Sequence, residues 1–213
     1  MSKEMTDKEK DLNQYFTPPG PVALLYEYLD YDVNEFNRKS RVLEPCAGDG
    51  GVANVFGAYG HPIQTNDIDP SLEADLTTDF LKAPVEKYIQ PDWVITNPPF
   101  TIRIDGELKK ASDFVKKAMK VARKGVAFLV RSSFLEPCND RKNLLKHRPP
   151  NNIIILPRIS FTRDGKTDSA NYHWLIWRKY ATDLWRTEVD DVVWRTRKDV
   201  KRAAEKFKLR PVE

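Results

Sequence analysis

Cysteine is nearly absent from this 213-residue chain: Cys46 and Cys138 stand alone, and the three histidines, His61, His147 and His173, are far apart. A disulfide framework needs more thiols and a zinc site needs clustered Cys or His, so neither is expected, and no metal is assigned. Long apolar runs are missing as well. The longest, Val126–Val130 and Ile153–Leu156, fall far short of the roughly 18 residues that cross a bilayer, so no membrane partner is expected. The opening MSKEMTDKEKDLNQ has no apolar core of the kind a secretory signal requires, which makes a cytoplasmic location the expectation.

What is present fits a globular chain: 40% hydrophobic and 31% charged residues, at a length suited to one well-buried α/β domain rather than two. Thirty-five Lys and Arg against 31 acids leave a net charge of +4, a modest pointer to a polyanionic partner. The distribution says more. Arg195–Arg210 carries eight Lys or Arg residues against Asp199 and Glu205, which can track a phosphate backbone or simply form a solvated helix face.

Charge without periodicity marks residues 1–13 as a flexible tail. A domain is expected over residues 14–180, followed by a charged helical extension, 181–213, with Val200, Ala203, Ala204 and Phe207 at helical spacing. Thr17-Pro18-Pro19 reads as a helix start, with the helix ending before Asp32. Strands are expected at Arg41–Pro45, Ile63–Asn66, Trp93–Thr96, Gly125–Arg131, Ile153–Pro157 and His173–Arg178. Helices are expected over VANVFGAYG and ASDFVKKAMKVARK, the latter burying Phe114, Ala118 and Val121 on one face. The stretch TIRIDGELKKAS between them reads as a flexible loop and a candidate lid. Strands alternating with helices imply a mainly parallel sheet covered on both faces, with ligands at the C-terminal strand ends.

Four short signals fall at such ends, in the order QYFTPP, LEPCAGDGG, NDIDP and ITNPPF. Small residues after the first strand let a ligand approach the backbone where the next helix presents free N–H groups. No Lys-Ser or Lys-Thr follows them, which argues against a nucleoside triphosphatase. Asp67, about 20 residues further on, is placed to accept hydrogen bonds from two ribose hydroxyls. Alone, each signal also has a structural explanation: a steric turn, a turn aspartate, a rigid proline stop. That last explanation leaves the asparagine before Pro98-Pro99 and the aromatic after them unaccounted for.

Asn97-Pro98-Pro99-Phe100 resembles the signature of the DNA amino-methyltransferases, Asn/Asp/Ser-Pro-Pro-Tyr/Phe/Trp, and the likeness extends over roughly Gln14 to Lys179. An aromatic amine is a poor nucleophile because its lone pair is delocalised into the ring. The Asn97 side-chain oxygen and the Pro98 carbonyl can accept both amino hydrogens and localise that lone pair, while Phe100 stacks on the extruded base. The resemblance implies a Rossmann-like class I methyltransferase fold, a mainly parallel seven-stranded sheet with an antiparallel last strand and helices on both faces. It implies S-adenosyl-L-methionine as cofactor and S-adenosyl-L-homocysteine as product, with DNA as substrate and N6 of adenine as the acceptor.

By the same resemblance Tyr15 and Thr17 hold the methionine end of the cofactor, Glu44, Cys46 and Gly48 line its turn, and Asp67 and Ile68 meet the ribose region. Asp79 and Phe80 bind its adenine, and Phe161 contacts the opposite face of the target base. The Ser169…Trp174-Leu175-Ile176-Trp177 pattern looks like phage-type adenine methylases, with both tryptophans read as core. Larger family members carry a separate target-recognition domain for which this chain has no room. Recognition is therefore left to loops 101–112 and 158–171, to a specificity partner protein, or is weak. RNA adenine and protein-glutamine methyltransferases remain alternatives, as does a non-catalytic binding module. A C5-cytosine enzyme is excluded because Phe100 stands where its nucleophilic cysteine would be.

Overall fold

The computed structural model describes residues 16–161, 169–182 and 184–208; the tail expected at residues 1–13 lies outside them. The prolines open a helix as anticipated. Helix α1 spans Pro19–Asp32 behind an extended Pro18 N-cap, where a missing N–H costs nothing. Along the chain follow β1 (Val42–Glu44), α2 (Gly51–Ala58), β2 (Ile63–Asp67), β3 (Leu76–Thr77), β4 (Trp93–Thr96), β5 (Thr101–Ile104) and β6 (Glu107–Lys110). Then come α3 (Ala111–Val121), β7 (Gly125–Arg131), α4 (Asn139–His147), β8 (Asn152–Leu156), β9 (Tyr172–Arg178), β10 (Asp191–Trp194) and α5 (Arg197–Lys208).

Eight strands make one sheet in the order β10-β8-β9-β7-β4-β1-β2-β3, on the α/β class I methyltransferase plan. Neighbours are parallel except around β9, which runs antiparallel to both β7 and β8. The expected antiparallel strand is therefore present, inserted inside the sheet rather than closing it. The additional strand is β10, parallel to β8 at the edge with Val192 opposite Ile153. The segment from residue 181 onward thus contributes a strand to the sheet as well as a helix.

Alternation along the strands builds two cores at once. Trp93 and Ile95, Ala127 and Leu129, and Trp174 and Ile176 pack with α1 and α2 on one face; Val94, Val126, Phe128, Leu175 and Trp177 pack with α3 on the other. Both tryptophans of β9 are fully buried core, and their indole N–H groups donate to the carbonyls of Pro21 and Arg148 at 2.9 Å each. Gly125 sits opposite Trp93 in the sheet because a Cβ there would stand 2.4 Å from the Trp93 ring. Helix α5 lies on α1, where Ala203 is buried and Val200 and Phe207 pack against the core. Thr196 and Asp199 exchange reciprocal hydrogen bonds across its first turn. Arg202 and Lys206 on α5 are both paired with Glu27 of α1, at 3.3 and 3.0 Å.

The stretch 101–112 is not a loop. Thr101–Ile104 and Glu107–Lys110 form an antiparallel hairpin closed by Asp105 and Gly106, at φ +50° and +80°. Two central residues with positive φ match the right-handed twist of the flanking strands, which is why Asp-Gly favours this turn. Among the described residues no helix is long and apolar enough to cross a membrane.

Candidate active site

Strand β1 has β2 on one side and β4 on the other, all parallel, so the chain reverses its direction of travel across the sheet between them. Such a switch point leaves a crevice at the C-terminal strand ends. The turn after β1 is shaped by glycine: Gly48 and Gly50 hold φ +56° and +80°, and a Cβ on Gly51 would stand 2.4 Å from the Thr17 carbonyl oxygen. Glu44 lies beneath this turn and is not among the residues lining the crevice. Its carboxylate accepts the Ala53 N–H of α2 at 2.7 Å. Burial pushes that carboxyl well above the usual range, and the Ala53 and Val52 N–H groups pull it back.

The crevice opens into a cavity of about 620 Å³, part of it continuous with solvent, whose wall includes Cys46, Gly48, Asp67, Ile68, Asp79, Phe80 and Asn97. Seven expected site residues are thus brought together. Asp67 accepts the Gly48 N–H at 2.9 Å and the Asp69 N–H at 3.0 Å, tying the end of β2 to the glycine turn. Asp79 accepts the Leu81 N–H through one oxygen at 2.9 Å. Its other oxygen is buried and has no hydrogen-bond donor among the described residues, the Lys82 ammonium standing 3.8 Å away. Phe80 lies nearly parallel to Phe114 at 6.3 Å. Burial, with the Asp67 carboxylate close by, pushes the Cys46 thiol up, so it is neutral and unsuited to nucleophilic work.

At the end of β4, Asn97 donates its amide N–H to the Thr17 hydroxyl at 3.1 Å. Thr17 therefore reaches the cavity through Asn97 rather than by lining it. Pro98 is buried. Phe100 is not among the residues lining the cavity and instead lines a second hollow, with Tyr172 at 5.8 Å between ring centres and the Arg131 guanidinium 4.4 Å from its ring centroid. Phe161 packs edge-on against the same Tyr172 at 4.8 Å, so Phe100 and Phe161 flank one buried ring. Tyr15 lies outside the described residues.

Residues that sequence reasoning did not assign to the site also line the cavity: Phe16, Thr78, Ile102, Ile104 and Phe114. The signal for two of them was there. Ile102 and Ile104 alternate with polar residues just before Asp105-Gly106, a hairpin pattern whose inward face covers a cavity. Lys82 forms an ion pair with Asp105 at the hairpin tip. Among the described residues no cluster of His, Cys, Asp or Glu could hold a metal ion.

The sequence matches no known family model and no curated protein. The fold has solved counterparts. The M protein of the type I restriction enzyme EcoKI superposes with a TM-score of 0.65 at 14% identity, over 86% of this chain and 49% of that one. The methyltransferase subunit of a type I restriction-modification system from Streptococcus thermophilus gives 0.62 at 15% identity, over 95% and 55%. A Listeria monocytogenes protein described as a class I S-adenosylmethionine-dependent methyltransferase gives 0.64 at 17%, over 87% and 66%. The chain thus spans about half the length of the first two. At these identities the likeness establishes the fold, a Rossmann-like class I methyltransferase architecture.

Proposed function

We propose that this chain transfers a methyl group from S-adenosylmethionine to the exocyclic N6 amino group of adenine in DNA. The observation that carries the reading is one cavity at the sheet's switch point, with Asp67, Asp79 and Phe80 on its wall and Asn97 of the Asn-Pro-Pro-Phe tetrapeptide beside them. The donor set fits the cofactor. Asp79 offers a buried carboxylate oxygen without a hydrogen-bond donor among the described residues, suited to an adenine amino group. Phe80 supplies an apolar face beside it, Asp67 an acceptor for ribose hydroxyls, and the Gly48 turn an approach to backbone. When bound, S-adenosylmethionine supplies an electrophilic methyl carbon and is released as S-adenosylhomocysteine.

The protein's own residues then act on the acceptor. Thr17 fixes the Asn97 amide, and the Asn97 and Pro98 carbonyl oxygens accept the two amino hydrogens, which localises the nitrogen lone pair; one of these protons leaves as the new N–C bond forms. The two prolines hold these oxygens in place, so little entropy is lost on binding. Phe100 stacks on the extruded base, and Phe161, packed on the buried Tyr172 beside it, backs that wall. Structural counterparts among restriction-modification methyltransferases support DNA as the substrate class. Sequence recognition falls to the β5–β6 hairpin, to the segment 158–171, whose residues 162–168 lie outside the described ones, or to a specificity partner protein.

The deciding experiment offers labelled S-adenosylmethionine with duplex DNA, single-stranded DNA and total RNA in parallel, and identifies the product nucleoside by mass spectrometry. N6-methyldeoxyadenosine is the expected product. Label confined to RNA replaces DNA by the RNA reading, and failure to bind S-adenosylmethionine by calorimetry overturns the enzyme itself.

A further inference from the structure

The β5–β6 hairpin stands apart from the main sheet as a two-stranded ribbon. Such a ribbon is marginal by itself, so whatever packs beneath it decides how firmly it is held. Strand β5 alternates exposed and buried residues, and the buried pair is Ile102 and Ile104. Strand β6 turns Glu107 and Leu108 to solvent. The hairpin is tied at both ends. At its base the Ala111 N–H donates to the Phe100 carbonyl at 3.3 Å, which joins it to the tetrapeptide. At its tip Asp105 is paired with Lys82, whose ammonium also stands 3.8 Å from Asp79. Between these ties Ile102 and Ile104 share one buried cluster with Phe80 and Phe114, and all four line the switch-point cavity.

We infer that Ile102 and Ile104 are cofactor-contact residues and that the hairpin covers the adenine end of S-adenosylmethionine, held in place by the cofactor it covers. The inference rests on the reading of this cavity as the S-adenosylmethionine site, with Asp79 and Phe80 meeting the adenine. Ile104 directly precedes Asp105, so the tip pair sets it at that same end. An adenine ring is polar at its edge and apolar on its faces. Asp79 serves the edge, and Phe80 with the two isoleucines offers apolar surface to the faces. β-Branched side chains have few rotamers, so this wall is formed in advance and loses little freedom on binding. The hairpin gains in return. Its tip is fixed by an exposed ion pair, a contact of little worth by itself, whereas a ligand in the cavity adds contacts beneath both isoleucines. Binding therefore stabilises the closed hairpin by linkage, and the more so as cofactor concentration rises above its Kd.

The test measures amide hydrogen exchange by mass spectrometry on the full chain, without cofactor and with S-adenosylmethionine at about 100 times the Kd found by calorimetry. Exchange across 101–110 is expected to slow by about ten- to 100-fold, the upper figure being the linkage limit at that concentration. Slowing in the glycine turn 47–51 with none across 101–110 overturns the cover. This measurement needs no substitution, so it decides even where a variant fails to fold. Calorimetry of two variants then locates the contact. Ile104→Ala is expected to weaken S-adenosylmethionine about tenfold or more, the scale for methylenes lost from an apolar pocket. Leu108→Ala, on the exposed side of the same hairpin, is expected to bind it as the unaltered protein does. An Ile104→Ala protein that melts at a lower temperature yet binds S-adenosylmethionine with unchanged affinity overturns the contact and leaves the isoleucine a core residue. If the unaltered protein binds no S-adenosylmethionine at all, the cofactor reading itself fails and takes the cover with it.

Discussion

The two sides of the Asn97–Phe100 tetrapeptide are built from opposite materials. Toward the cavity at the switch point the charged wall residues are the carboxylates Asp67, at the end of β2, and Asp79, just after β3. Toward the second hollow they are Lys110, Arg131 and Arg141 against Asp140, set on a hairpin end, a strand end and a helix. Under the proposed function, the hydroxyl and amino groups of S-adenosylmethionine meet the first side, and the acceptor nitrogen meets the tetrapeptide. Four rigid residues thus separate two recognition problems, and changes on one side should leave binding on the other untouched.

The largest expected effect belongs to the boundary itself. Asn97→Ala should lower the methyl-transfer kcat by about 10²- to 10³-fold, the scale seen when one preorganised polar group at a reacting centre is removed. Affinities for S-adenosylmethionine and for an oligonucleotide, by calorimetry and anisotropy, should stay near their original values. Retained turnover would remove Asn97 from the chemistry.

On the cofactor side, Asp79→Ala deletes the buried carboxylate oxygen proposed to meet the adenine amino group. A hydrogen bond to a charged group is worth about 1.5–3 kcal/mol, so cofactor affinity should fall roughly tenfold or more by the 1.4 kcal/mol-per-decade rule, with oligonucleotide affinity unchanged. A loss of strand binding instead would show that the two sides are coupled through the fold. The mirror experiment is Phe100→Ala. It should weaken strand binding by about 1–3 kcal/mol, the usual worth of one base–aromatic stack, and leave cofactor affinity alone.

Legibility in the sequence followed the same division. The cofactor side is written in backbone: Gly48 and Gly50 at positive φ, Asp67 at a strand end, Asn97 locked by prolines. Turns of this kind need particular residue types at fixed spacings, so they can be read from one sequence. The hydrophobic alternation that separates Trp93 and Ile95 from Val94 placed the buried strands equally well. The second side depends on which side chains the sheet brings together across long separations, Arg131 with Phe100 and Phe161 with Tyr172, and no local pattern encodes that. Strand β10 was unreadable for another reason: an edge strand with an intermediate and exposed pattern buries too little to leave a hydrophobic signature. The hairpin over 101–110 was readable from Asp105-Gly106, yet the polar residues around it read as loop.

The smallest effect concerns stability against pH, and it too discriminates by location. His61 is buried behind α2 among Tyr26, Phe36 and Phe56, and its Nδ1 stands 3.1 Å from the Ser40 carbonyl, a contact that the neutral ring makes as donor. Burial lowers its pKa, the Ser40 carbonyl opposing the shift in part. Between that lowered value and the unfolded value of about 6.5, the folded chain binds fewer protons than the unfolded one, so stability rises with pH across the window and is lost as pH falls below about 6.5. His173, lowered by burial in the same way, adds to the slope. Glu44 works against it. Its raised carboxyl makes the folded chain bind more protons from about pH 4.3 upward, so its ionisation removes stability as pH rises through the folded value. His61→Phe should therefore flatten the rise of Tm with pH below 6.5, and Glu44→Gln, which keeps an acceptor for Ala53, should steepen it and raise Tm at neutral pH. Both variants should leave oligonucleotide affinity where it was, since neither residue lines the cavity or the second hollow; a change there would mean that the substitution disturbs the strand ends as well as the stability.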